Sequence, residues 1–330
     1  MNRETLERNQ IPIYFAAAVV AAASGLMAPT VVRDLDILVT PAIAVLMYAM
    51  FLQIPFLDLR GGLSSRKFMS ATLVANFLFV PLLVWILTQG LAEHPAILVG
   101  ALLVLLTPCI DYVVVFTHIG KGDSKLVLAA TPVLLLLQLI LLPIYLSLMI
   151  DRQTTVMIAI GPFVEAFLVL IAAPLILAVA TSALAKKSGA IDRWNAAWAW
   201  LPVPAMATVL VVVIGSQIGV VASEIDRLIA VIPVYIGFAV LAPLAGTLAA
   251  RIFKLRVEAA RAVVFSASTR NSLVVLPLAL ALPGEIRGLA AAAVITQTLI
   301  ELISELVYVR VIPAFVWRTQ KTRGRGNTHP

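Results

Sequence analysis

Apolar runs of about 20 residues recur along the whole chain, the length a helix needs to cross a hydrocarbon core of about 30 Å. Few other features confine a chain so tightly. Its side chains must face lipid or one another, and a charge inside such a run needs a partner or a polar cavity. The chain therefore reads as an all-α polytopic membrane protein, with residues 1–330 forming a single transmembrane domain.

Composition agrees. Only 12% of the residues are charged against 62% hydrophobic, where soluble domains carry about 25% charged. The net charge of +7 is spread over short loops and forms no basic face with interleaved aromatics, so no nucleic-acid partner is expected. One cysteine excludes a disulfide framework. His94, His118 and His329 make no ligand cluster. The partners implied are the lipid bilayer and a small solute; no cofactor and no protein partner is implied.

Ten spans are expected: Ile11–Ala28, Ile37–Leu57, Phe68–Gly90, Pro95–Thr117 and Leu126–Ile150, then Val156–Ala185, Trp194–Gly219, Arg227–Phe253, Ala262–Leu282 and Ile286–Trp317. The connections carry turn chemistry, as in Asp58-Leu-Arg-Gly-Gly and Lys186-Lys-Ser-Gly. Ala21-Ala-Ala-Ser-Gly25 faintly resembles a cleavage region, but Met1–Gln10 holds as many Glu as Arg, so a retained helix is preferred to a signal peptide. Eighteen basic residues fall in one set of alternate loops and four (Arg33, Arg152, Arg227 and Arg287) in the other. By the positive-inside rule both termini are then cytoplasmic, with 318–330 a cytoplasmic tail.

Ten spans divide into repeats over 11–150 and 156–317, and an odd-numbered repeat enters the second time from the opposite side. The fourth and ninth spans correspond under that symmetry, and both are interrupted. Thr107-Pro-Cys breaks one; Ser268-Thr-Arg-Asn-Ser, with Pro277 following, breaks the other. Paired broken helices point to a transporter's binding site, because unwound backbone frees N–H and C=O groups near the midplane. Pro81, Pro132, Pro143, Pro174 and Pro243 read as simple kinks.

Charges gather at the two breaks. Arg270 lies in the ninth span and Asp111 in the fourth. They admit three readings: a structural ion pair joining the broken helices, a proton site on Asp111 tuned by Arg270, or an anion site on the planar guanidinium. Glu301 and Glu305 share one face of the tenth span. Glu301 is a candidate for coupling, and Glu305 is expected to pair with Arg310. Glu165 should face inward. Asn76, Gln138, Asn271 and Ser272 are further candidate ligands or interhelical hydrogen bonds. Trp194, Trp198 and Trp200 read as an interfacial belt.

Leu98-Val-Gly-Ala-Leu, Thr107-Pro-Cys-Ile-Asp-Tyr-Val-Val-Val-Phe, Lys121-Gly-Asp, Phe265-Ser-Ala-Ser-Thr-Arg-Asn, Leu299-Ile-Glu301 and Leu306-Val-Tyr-Val carry a resemblance. The chain resembles the bile acid:sodium symporter superfamily, most of all its arsenite efflux permease branch. The resemblance implies ten helices in two inverted five-helix repeats, with fourth and ninth helices that unwind and cross. It also implies an ion-coupled solute carrier and no enzyme activity. Cys109 becomes a candidate transient arsenic ligand, since soft sulfur suits trivalent arsenic; packing as a small apolar residue is the other reading.

The departures are Arg270 for the branch's first Asn, Leu273 for an acidic residue, and Asp111 for a small or apolar one. Arg270 can stand in for a sodium ion that sodium-coupled relatives hold near the crossing. The expectation is therefore proton-coupled efflux of arsenite or a related metalloid by alternating access, in a bacterial cytoplasmic membrane. The expected site is Cys109, Asp111, Arg270, Asn271, Ser272, Glu301 and Asn76. A sodium- or proton-coupled carrier of a small organic anion is the alternative.

Overall fold

The computed structural model describes residues 6, 9–27, 36–53, 65–110, 112–150, 165, 168–223, 225–280, 282 and 284–315. The regular elements among the described residues are all helices, and no strand forms among them. The first half holds α1 (Gln10–Met27), α2 (Asp36–Leu52), α3 (Arg66–Leu91), α4 (Pro95–Leu105), α5 (Val113–Ile119) and α6 (Ser124–Met149). The second holds α7 (Leu168–Ala185), α8 (Gly189–Trp198), α9 (Pro202–Ser223), α10 (Asp226–Ile252), α11 (Val257–Ser268), α12 (Ser272–Leu280) and α13 (Gly284–Phe315).

Five described helices (α3, α6, α7, α10 and most of α13) are long and apolar enough to cross a membrane. The pair α8 and α9 makes a sixth if it is one span, but it bends by 46°. The uninterrupted span expected from Trp194 to Gly219 is thus bent. Pro202 and Pro204 are the cause, since a proline opens a helix readily and cannot continue one. Helices α1, α2 and α4 are apolar but shorter.

The helices pack as two groups. In one, α9 lies against α1 and α2, and α7 against α2 and α8. In the other, α10 lies against α3 and α11, and α13 lies against α4 and α12. The groups meet where α9 packs on α13. Small residues set the closest approaches. A Cβ on Gly100 of α4 would sit 2.4 Å from the Ala290 carbonyl oxygen of α13, and one on Gly246 of α10 would sit 2.8 Å from the Val264 Cα of α11.

Prolines leave carbonyls that other helices satisfy. Pro81 has no N–H for the Phe77 carbonyl, and the Tyr145 hydroxyl of α6 donates to that oxygen at 2.6 Å. Pro243 leaves the Ala239 carbonyl in the same position, and the Tyr308 hydroxyl of α13 donates to it. Ala75–Phe79 within α3 is a π-turn, a local widening often found at functional sites, and it contains Asn76. Asp123 caps α6 by accepting from the Leu126 N–H at 3.3 Å.

Candidate functional site

Both interruptions marked by the sequence are breaks in the structure, and they pair with each other. Helix α4 ends at Leu105 and α5 begins at Val113; α11 ends at Ser268 and α12 begins at Ser272. Between them Pro108 and Arg270 form an antiparallel bridge. The Cys109 N–H donates to the Thr269 carbonyl at 3.1 Å, and the Asn271 N–H donates to the Thr107 carbonyl at 2.9 Å. Each break thus supplies what the other lacks, as backbone at membrane depth must.

Arg270 is fully buried at this junction. Its Nη2 donates to the Ser266 carbonyl at 2.7 Å and the Ala267 carbonyl at 2.8 Å, near the end of α11. Nη1 donates to the Leu105 carbonyl at 3.4 Å, the end of α4. One guanidinium therefore closes two helix C-termini, where partial negative charge accumulates. Nη2 also donates to Asn76 Oδ1 at 2.8 Å, and the guanidinium carbon lies 5.5 Å from the Phe238 ring centroid. Asn76 in turn donates from Nδ2 to Ser266 Oγ and to the Thr72 carbonyl, each at 3.0 Å. The π-turn of α3 aims this amide at the second break.

The tenth-span carboxylates reach the same place. Glu301 Oε2 accepts from the Arg270 backbone N–H at 2.9 Å and from Gln297 Nε2; its Oε1 accepts from the Tyr112 hydroxyl. That hydroxyl also lies 3.0 Å from the Arg270 carbonyl. Glu305, one turn further on, is fully buried, with Oε1 2.6 Å from Thr269 Oγ1. The expected pairing of Glu305 with Arg310 does not occur. Arg310 is exposed and donates to the Leu306 carbonyl at 3.2 Å. Residues five apart on a helix do not share a face, whereas those three or four apart do. Glu165, expected to face inward, is exposed.

Asn76, Arg270 and Glu301 therefore converge. Asn271 joins them through its backbone, while its side-chain Oδ1 caps α12 by accepting from the Val274 N–H at 3.2 Å. Cys109 is fully buried in the first break. Asp111 lies outside the described residues. Ser272 stands apart, its buried hydroxyl without a hydrogen-bond partner among the described residues. Gln138 of α6 is buried with neither amide atom bonded among them.

Sequence reasoning missed Tyr112, Gln297 and Thr269. Gln297 precedes Glu301 by four residues, so helical spacing could have found it. Tyr112 and Thr269 belong to the breaks, where no periodicity applies.

Two cavities adjoin these groups. One, of about 10 Å³, borders Glu301, Gln297, Ser268, Ser304 and Tyr308. The other, of about 20 Å³, lies between α1 and α9 on one side and α12 and α13 on the other. Its walls are aliphatic apart from Ser272 and Thr298.

The model of the Sodium Bile acid symporter family matches residues 40–224, more than half of the chain. The chain belongs to this family. No curated protein matches it. The symporter-family match takes in the first break and ends before the second, so Arg270, Glu301 and Glu305 lie beyond it. Membership and the apolar helices together make this symporter-family protein a multi-pass membrane transporter.

Proposed function

We propose that the chain is a secondary active transporter that exchanges protons for a small neutral hydroxylated solute, arsenite foremost, by alternating access. Ten spans in two inverted five-helix repeats, with both termini cytoplasmic in a bacterial plasma membrane, fit the alternation of loop charge and the paired breaks.

The observation that carries the reading is the guanidinium closing both helix ends. A coupling cation held there would need those carbonyls, and Arg270 already takes them. A proton needs no such cage; it needs a buried carboxylate, and α13 supplies two at the junction. An anion would find Nη2 of Arg270 already committed to Asn76 and main-chain oxygens and could meet only Nε, which has no partner among the described residues, and Nη1. A neutral substrate such as arsenous acid avoids repulsion from Glu301, and Cys109 offers its hydroxyl-bearing arsenic a soft sulfur.

A second reading, an ion-coupled carrier of an amphipathic organic anion, is favoured by the substrate in the family's description and by the aliphatic lining of the crevice between α1, α9, α12 and α13.

Arsenite accumulation in everted membrane vesicles separates the two, with proton and sodium gradients collapsed in turn. Collapse of the proton gradient should abolish accumulation. Loss with the sodium gradient alone would remove proton coupling, and no accumulation under any gradient would remove arsenite.

A further inference from the structure

We infer that Glu305, and not Glu301, carries the exchangeable proton, while Glu301 remains a carboxylate held by the Arg270 backbone N–H and Gln297. The inference rests on the proton-coupled reading above and follows from counting hydrogens.

Glu301 is surrounded by donors. Its Oε2 accepts from two committed donors, the Arg270 backbone N–H and Gln297 Nε2, so it keeps both whether the single Tyr112 hydrogen goes to Oε1 or to the Arg270 carbonyl. The Tyr112 hydroxyl covers Oε1, and the Arg270 guanidinium supplies nearby positive charge. A carboxylate is satisfied there.

Glu305 meets the reverse. Its sole described partner is Thr269 Oγ1, at 2.6 Å, and Oε2 has none. Thr269 Oγ1 also lies 2.7 Å from the Phe265 carbonyl, an acceptor with no hydrogen of its own. The hydroxyl has a single hydrogen to give. When it goes to Phe265, the contact with Glu305 is a hydrogen bond only if Glu305 brings a hydrogen. An anionic Glu305 would compete for that one hydrogen and leave Oε2 bare in a dry interior.

The neighbouring charges do not relieve it. From α13 itself, Glu301 is a like charge on the same face and Tyr308 gives its hydroxyl hydrogen to the Ala239 carbonyl. From α11, Arg261 donates to the Lys121 and Pro313 carbonyls, and past its end Arg270 gives its guanidinium hydrogens to Asn76 and main-chain oxygens. From α5, His118 is exposed, and from α10, Tyr235 donates to the Ala293 carbonyl at 2.9 Å. Two carboxyls one turn apart thus sit in opposed environments, which is how paired acids divide into one charged and one protonated.

The transported step is then dissociation of the Glu305 carboxylic acid to carboxylate, with its proton passing to solvent on the side the carrier faces, and the reverse on the other side.

The test is infrared spectroscopy of the purified full-length protein in lipid at neutral pH, reading the deuterium-sensitive stretch of a protonated carboxyl. Glu305→Gln should remove that band and Glu301→Gln should retain it. Thr269→Val, which deletes the hydroxyl partner, should shift its frequency, so the assignment holds even if Glu305→Gln fails to fold. Absence of the band in the unmodified protein, its survival in Glu305→Gln, or an unmoved band in Thr269→Val would overturn the inference.

In everted vesicles, Glu305→Gln should keep arsenite counterflow while proton-driven accumulation falls until inside and outside concentrations are equal. Undiminished accumulation would also overturn it. If unmodified vesicles take up no arsenite, the substrate reading has failed instead, and the infrared bands alone decide the role of Glu305.

Discussion

The two breaks do the same topological work by opposite chemistry. The first runs from Leu106 to Tyr112 and contains Pro108, a residue that interrupts a helix by withholding an N–H. Its Thr107 hydroxyl turns back onto its own helix, donating to the Leu103 carbonyl at 2.9 Å. The second is only Thr269, Arg270 and Asn271, and each of these side chains reaches a partner: Glu305, the paired helix ends, and the N-terminus of α12. One break exists because a backbone bond cannot form. The other exists because side chains replace the bonds that are missing. The first is nevertheless held as firmly, because the Tyr112 hydroxyl reaches Glu301 and the Arg270 carbonyl, so each break fixes the other.

The largest effect expected under this asymmetry is that of Arg270→Met. It strips donors from both helix ends and from Asn76, leaving several buried acceptors unpaired at about 1–3 kcal/mol each. Thermal unfolding in detergent should show it as a large fall in Tm, and Arg270→Lys should not restore it, because an ammonium lacks the planar fork that spans two helix ends. An equal fall from Pro108→Ala would break the comparison.

Asn76→Ala should cost about 1–3 kcal/mol, since Nη2 of Arg270 and Ser266 Oγ each lose a partner. The same melting measurement reads it, and a double variant with Arg270→Met should be clearly less than additive. Gly100→Ala tests the frame instead of the polar network. Its Cβ would collide with the Ala290 carbonyl, and overpacking of this kind costs about 1–3 kcal/mol. Smallest is Arg256→Ala. The ion pair with Asp123 is 68% exposed on the arginine side, so its loss should change stability by less than about 1 kcal/mol, and salt should erase the difference.

Much of this was legible in the chain itself. A charge within an apolar run must be spent on something, and Arg270 marked the junction for that reason alone. Pro108 and the polar run from Ser268 to Ser272 marked the two places where helix would fail. What they bind was not legible, because partners across helices depend on rotation and depth that no local pattern records. Asn76 could be named as polar, but the π-turn that rotates it towards Arg270 has no signature in Ala75–Phe79. Glu305 was assigned to Arg310 because both are charged and near in sequence. The helical period instead turns Arg310 outward and Glu305 inward to Thr269. Glu165 errs the other way: the cost of a charge in lipid predicted burial, and the residue is exposed.

The bridge between Pro108 and Arg270 has a mechanical consequence. Neither crossing helix can twist or slide without stranding the hydrogen bonds of the other, so both must travel as one piece, together with the α3 amide and α13 carboxylates fastened to them. The joint of α1 and α9 with α12 and α13 is aliphatic apart from Ser272 and Thr298, so under the proposed alternating access the clasp would move against it as one body, carrying the Cys109 site with it.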